Sequence, residues 1–241
     1  MKATEVKKLL NVTGVRTGYY GIKASKEAGG LKVSTLTGKL EGMHSISTSP
    51  ELSHFCQTMH HCPGTICEKC FSCRSVIPEE GGYKQGLRAA LAHNTAWLSV
   101  DHEIEDFPIL NDLYHRIESH GDVDTVIQAV NFIKLVLRNP ETHFTAWTKN
   151  AVAWDRAFKQ IGRPDNLIMV YSSPVINQEI SYEKISKYFP WIDKVFTVFS
   201  AEYLAEHEDL IPTINCGSKQ CLACMLCYRK NNVRQIRELL K

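Results

Sequence analysis

No run in this chain approaches the roughly eighteen consecutive apolar residues that a membrane-crossing helix needs. Nor is there an excess of one charge. Lys and Arg number 28 against 26 Asp and Glu, a formal net charge of +2. That balance removes the electrostatic argument for an acidic membrane surface, and it gives a nucleic-acid partner no support. The opening stretch, MKATEVKKLLNVTG, is basic but lacks the apolar core of a secretory signal, so the expected setting is the cytoplasm. Low-complexity tracts are absent. With 241 residues and 44% hydrophobic side chains, one α/β domain over 1–241 can bury a core without covalent staples.

Cysteine is present in quantity and unevenly placed. All nine lie within 56–73 and 216–227. Cys62, Cys67, Cys70 and Cys73 are separated by four, two and two residues, and Cys216, Cys221, Cys224 and Cys227 repeat that spacing. In a reducing cytoplasm such sets bind metal more often than they form disulfides. A Cys-x2-Cys-x2-Cys run offers three thiolates to one [4Fe–4S] cube, with the fourth ligand elsewhere. Here a fourth cysteine lies five residues upstream in each comb, so one or two clusters are expected. Zn2+ is the alternative, built from a pair of Cys-x2-Cys hairpins. Three cysteines in a tight row suit a cube better, because a tetrahedral zinc would leave sulfurs over. The eight comb cysteines are the expected metal ligands, with Cys56 a spare ligand or a buried thiol.

Between the combs, apolar periodicity alternates. MHSISTS (43–49), LYHRIES (113–119), HFTAWTK (143–149), NLIMVYSS (166–173) and KVFTVFS (194–200) read as strands. Helices are expected over 83–100, over VDTVIQAVNFIKLVLRNP with Asp124 as N-cap, over AVAWDRAFKQIG and over ISYEKISKYF. The βα rhythm predicts a parallel sheet, as a partial barrel or an open sheet, carrying two cysteine-rich metal-binding segments. Residues 1–42 read as a helix and hairpin extension, 43–228 as the βα core, and 229–241 as a closing amphipathic helix.

Several phrases together resemble a known family. These are the first comb CPGTICEKCF, the strand RIESHGD (116–122), the strand FTAWTK (144–149), the Asn-led NLIMVYSS, and the second comb ending in MLCY. In this order, over about 32–228, they resemble the gene product 88-like proteins of bacteriophages and other mobile elements. The resemblance implies an α/β metal-binding protein of phage origin, working in the cytoplasm of a bacterial host. The family usually closes the first comb with CYA. CFS stands here instead, so Cys73 is additional.

Parallel sheets keep their ligands at the C-terminal strand ends. That rule picks out Asp122 as general base or substrate anchor and Lys149 as its electrostatic partner. Ser172 and Ser173 would supply hydrogen bonds to a substrate or cofactor. The expected function is therefore a phage-type iron–sulfur protein with redox or radical-type chemistry on a nucleotide or small molecule. The alternatives are a zinc-stabilised accessory protein that binds a host factor or nucleic acid, and a zinc-containing barrel enzyme that modifies bases.

Overall fold

The computed structural model describes residues 2, 5, 30–217 and 219–240. Most of the segment expected as an N-terminal helix and hairpin therefore lies outside the described residues. Seven strands form one sheet in chain order: β1 (Ser34–Thr35), β2 (His44–Ile46), β3 (Tyr114–Ile117), β4 (His143–Thr148), β5 (Leu167–Ser172), β6 (Lys194–Phe199) and β7 (Gln235–Leu239). β1 pairs antiparallel with β2, and every later pair is parallel. β1 and β7 are the two edges, so the sheet stays open and does not close into a barrel.

The strand order never reverses. Right-handed crossovers then carry the connecting helices to one face. α3 (Gln85–Leu98), α4 (Val126–Arg138), α5 (Ala151–Ile161) and α6 (Tyr182–Tyr188) all contribute to the core on that face. Phe132, Ile133 and Val136 of α4 and Trp154 of α5 meet Ile117, Phe144, Ala146, Leu167, Met169 and Val195 of the strands. Side chains alternate across a strand. Tyr114 and Trp147, out of phase with that set, join Leu36, Met43, Met225 and Tyr228 on the opposite face. That opposite face is covered by the second comb, which carries a short helix, α8, at Cys221–Cys224.

Two expectations are corrected. The segment 229–241 is not a helix: β7 runs through Gln235–Leu239. Ile236 and Leu239 are both buried, and their spacing of three suggested a helix. The exposed backbone edge of β6 decides otherwise, because its N–H and C=O groups need partners that only a strand supplies. Asp124 does not cap α4. Thr125 is the cap, its hydroxyl accepting from the Gln128 N–H, while Asp124 accepts from the Phe55 N–H at 2.7 Å.

The first comb is a series of short helical turns: α1 (His54–His60), a 3-10 turn at Ile66–Lys69, α2 (Phe71–Val76) and another 3-10 turn at Pro78–Glu80. Ser53 caps α1 by accepting from the Cys56 N–H at 3.1 Å. Another helix, α7 (Ala201–Glu206), follows β6 and packs with Phe199 and Leu239 in a smaller apolar cluster.

Candidate metal centres

The first comb lies over the C-terminal ends of β3 to β5. The Ile66 N–H donates to the Pro174 carbonyl at 2.8 Å, just past β5, and Thr65 bridges Val175. On the β3 side, Ser72 meets His120 at 3.2 Å. Cys62 is exposed, Cys56, Cys67 and Cys70 are half-buried, and Cys73 is buried. The Cys73 S–H donates to the Cys70 sulfur. That contact, with the backbone N–H groups of Cys73 and Ser72 and the charge of Lys149, outweighs burial and brings the Cys70 thiol down to about 6. The same bond, together with burial, pushes the Cys73 thiol far up. Burial also raises Cys56 and Cys67, with the Asp122 carboxylate adding to both and Lys149 opposing it. Lys149 is thus the cation that Cys56, Cys67 and Cys70 share.

The strand-end residues singled out in the sequence do come together, largely as a brace. Asp122, 6% exposed, accepts from Thr148 Oγ1 at 2.7 Å, from the Lys149 N–H at 2.6 Å and from its neighbour Val123 at 2.9 Å. Its carboxylate oxygens are therefore committed to the turn between β4 and α5, which leaves little for a proton in transit. Burial raises its pKa, and these hydrogen bonds oppose the shift. Gly121 approaches β2 so closely that a Cβ there would lie 2.5 Å from the Thr48 carbonyl oxygen. Asn166, at the opposite end of the sheet, donates to the carbonyls of Asn139 and Thr142 at 3.0 and 2.9 Å. Ser172 and Ser173 are buried beneath the comb's attachment point, with the Ser173 N–H donating to Phe196 O at 2.8 Å. The phrases GD, TK and the leading Asn all have a folding reason.

One residue here escaped the sequence reading. Glu118, 2% exposed at a φ of 57°, accepts from the Thr48 N–H at 2.9 Å and from Thr48 Oγ1 at 2.6 Å. Burial pushes its carboxyl up to about 8. No pattern in RIESHGD marks it, because an acidic residue at a strand end is ordinarily solvated.

The second comb packs on the other face of the sheet. The Cys216 N–H donates to the Arg237 carbonyl at 3.0 Å, and Cys216 forms a parallel bridge to Glu238, covering the edge of β7. Tyr228, directly after Cys227, lies 5.4 Å from the Trp147 ring, and Arg116 stacks on that indole at 4.0 Å. Lys39, in the turn between β1 and β2, reaches Glu238 at 2.7 Å and Cys216 Sγ at 3.5 Å. Burial alone would depress the Lys39 ammonium, but Glu238 and the Cys216 and Cys221 sulfurs hold it above its usual value. Burial pushes Cys216 up to about 12 and raises Cys221 and Cys227, with Arg116 opposing the shift at the last two.

Each comb therefore has its own charged surroundings. Lys149 and Asp122 serve the first. Lys39, Arg116 and Glu238 serve the second. Among the described residues, no three thiols lie within 4.8 Å of one another. Four thiolates on one zinc, with bonds of about 2.3 Å, would sit about 3.8 Å apart.

A family model described as Gene product 88 matches residues 22–238. No curated protein and no solved structure matches the chain.

Proposed function

The chain belongs to the gene product 88 family, and from that premise we propose that it is a phage-type iron–sulfur protein with one [4Fe–4S] cluster per comb. One observation carries the reading. Two cysteine sets of identical spacing fold into two separate patches on opposite parts of one sheet, each beside its own cations. The strand-end motifs have structural explanations, so the matched cysteine spacing is the feature that packing leaves unexplained. A chain that buries 43 apolar side chains among its described residues needs no metal to hold a core.

Each cluster supplies one-electron exchange, at a potential set by nearby charge and solvent. The chain's own part differs between the combs. In the first, Cys62 is exposed and Lys149 faces Cys56, Cys67 and Cys70. A small molecule or nucleotide meets the protein there, with Lys149 attracting its negative charge and Asp122 holding the turn that positions Lys149. Cys62, Cys67 and Cys70 supply three corners, and Cys73 or Cys56 the fourth. In the second comb, Cys216, Cys221, Cys224 and Cys227 lie against the sheet beside Arg116 and Lys39, a setting for an electron store out of a substrate's reach.

The test is a pair of variants. Cys70→Ser and Cys224→Ser should each lose about half of the iron and sulfide, because each breaks one of two independent clusters. Iron unchanged in both would sink the ligand assignment. Complete loss in either alone would mean a single shared cluster.

A further inference from the structure

Beside the first comb, three side chains of different chemistry converge. His60, on α1, points Nε2 at Glu80 Oε1, 2.7 Å away. Cys73, on α2, brings its sulfur to the same spot, so that one ligand atom from each of the three lies within 4.8 Å of the others. The three come from three separate helical pieces in and just after the comb, with Glu80 in the 3-10 turn Pro78–Glu80. The His60 ring is oriented by a second contact. Its Nδ1 lies 2.6 Å from the Cys67 carbonyl, which can only accept, so Nδ1 donates and Nε2 is the atom turned toward Glu80 and Cys73. Metal-binding histidines are held in this way, the far ring N–H donating to a carbonyl or carboxylate.

We propose that His60, Cys73 and Glu80 form a mononuclear site for a divalent cation of zinc type, separate from the clusters. The donor set suits it: one imidazole, one thiolate and one carboxylate match the borderline preference of Zn2+ and its analogue Co2+. Three protein ligands would leave a fourth position open, the pattern of zinc sites that bind water or substrate. A tetrahedral ion with bonds of about 2.0–2.3 Å spaces its ligands about 3.3–3.8 Å apart, so the three side chains need only small adjustments. The ion replaces the His60–Glu80 hydrogen bond.

The site itself stands without the iron–sulfur reading, but its consequence rests on that reading. If Cys73 serves the zinc, the first comb completes its cluster from Cys56, Cys62, Cys67 and Cys70.

The experiment counts zinc and iron per chain on protein purified without oxygen, incubated with Zn2+ and desalted. His60→Gln and Glu80→Gln, both at partly exposed positions, should each weaken zinc retention by about 10–100-fold, the usual effect of losing a ligand or its support. Their iron and sulfide should match wild type. Cys73→Ser should lose the same zinc and keep its iron. Zinc retained at the wild-type level in both the His60 and Glu80 variants would overturn the site. Iron lost in Cys73→Ser would overturn the division of ligands and return Cys73 to the cluster. If wild-type protein holds no iron at all, the iron–sulfur reading fails, yet a zinc deficit confined to the His60 and Glu80 variants would still establish this site.

Discussion

Glu118 combines burial, a left-handed backbone and a carboxylate that accepts from both the N–H and the hydroxyl of Thr48. Its carboxyl titrates near 8 in the folded chain, against about 4.3 in an unfolded one. A raised carboxyl pKa means that the folded state holds the proton more tightly. The stability this gives is complete below about pH 4 and disappears as pH rises toward about 8. Glu118→Gln cannot ionise, so relative to wild type it should gain stability steadily from about pH 5 to about pH 9. Urea denaturation of both proteins across that range checks this, and a constant difference would contradict it. Burial raises the Asp122 carboxyl in the same direction, but there several hydrogen bonds to the carboxylate oppose the shift. Asp122→Asn places an amide N–H₂ where Thr148 or Lys149 donates, and should cost about 1–3 kcal/mol in denaturation at neutral pH. Unchanged stability would show that the bracing role is wrong. At this scale the sequence was legible where the βα rhythm carried the signal, as with Asp122 and Lys149, which the fold brings together at neighbouring strand ends. It was silent where burial created the property, as at Glu118, Arg116 and Lys39.

Among the elements, β2 to β6 and the helices between them were readable because apolar periodicity and turn residues agreed. Gly162, at the C-terminal end of α5, and Asn150, whose side chain accepts from the Ala153 N–H, are examples. β7 was misread because Ile236 and Leu239 satisfy a helical spacing, while the demand for a strand comes from β6, forty residues earlier. A single sequence window does not contain that demand. The N-cap of α4 moved by one residue for a similar reason, since Asp124 is occupied by the Phe55 N–H from another element. The edges of the sheet are tied by one partly buried ion pair, Lys39–Glu238, at 16% and 19% side-chain exposure. Lys39→Ala leaves Glu238 half-buried without its cation and should cost about 1–2 kcal/mol. Denaturation midpoints equal to wild type would mean that the pair contributes nothing to holding the two edges.

At the scale of the whole molecule, an open sheet with helices on one face needs something on the other, and here that cover is the second comb. The first comb closes the strand ends from which Asp122 and Lys149 project. The sequence places the combs as two matched sets, but it cannot say whether they meet. The fold answers that they do not share their charged neighbours. On the proposed iron–sulfur reading, each comb holds its own cluster, and the protein keeps its fold when one is lost.

The most direct test is the metal and acid-labile sulfide content of protein purified without oxygen, with a visible spectrum of the same sample. Two clusters predict about eight iron and about eight sulfide per chain, with a broad shoulder near about 400 nm that bleaches on reduction. A colourless protein with about one or two zinc ions and no sulfide would contradict the central claim and make both combs structural.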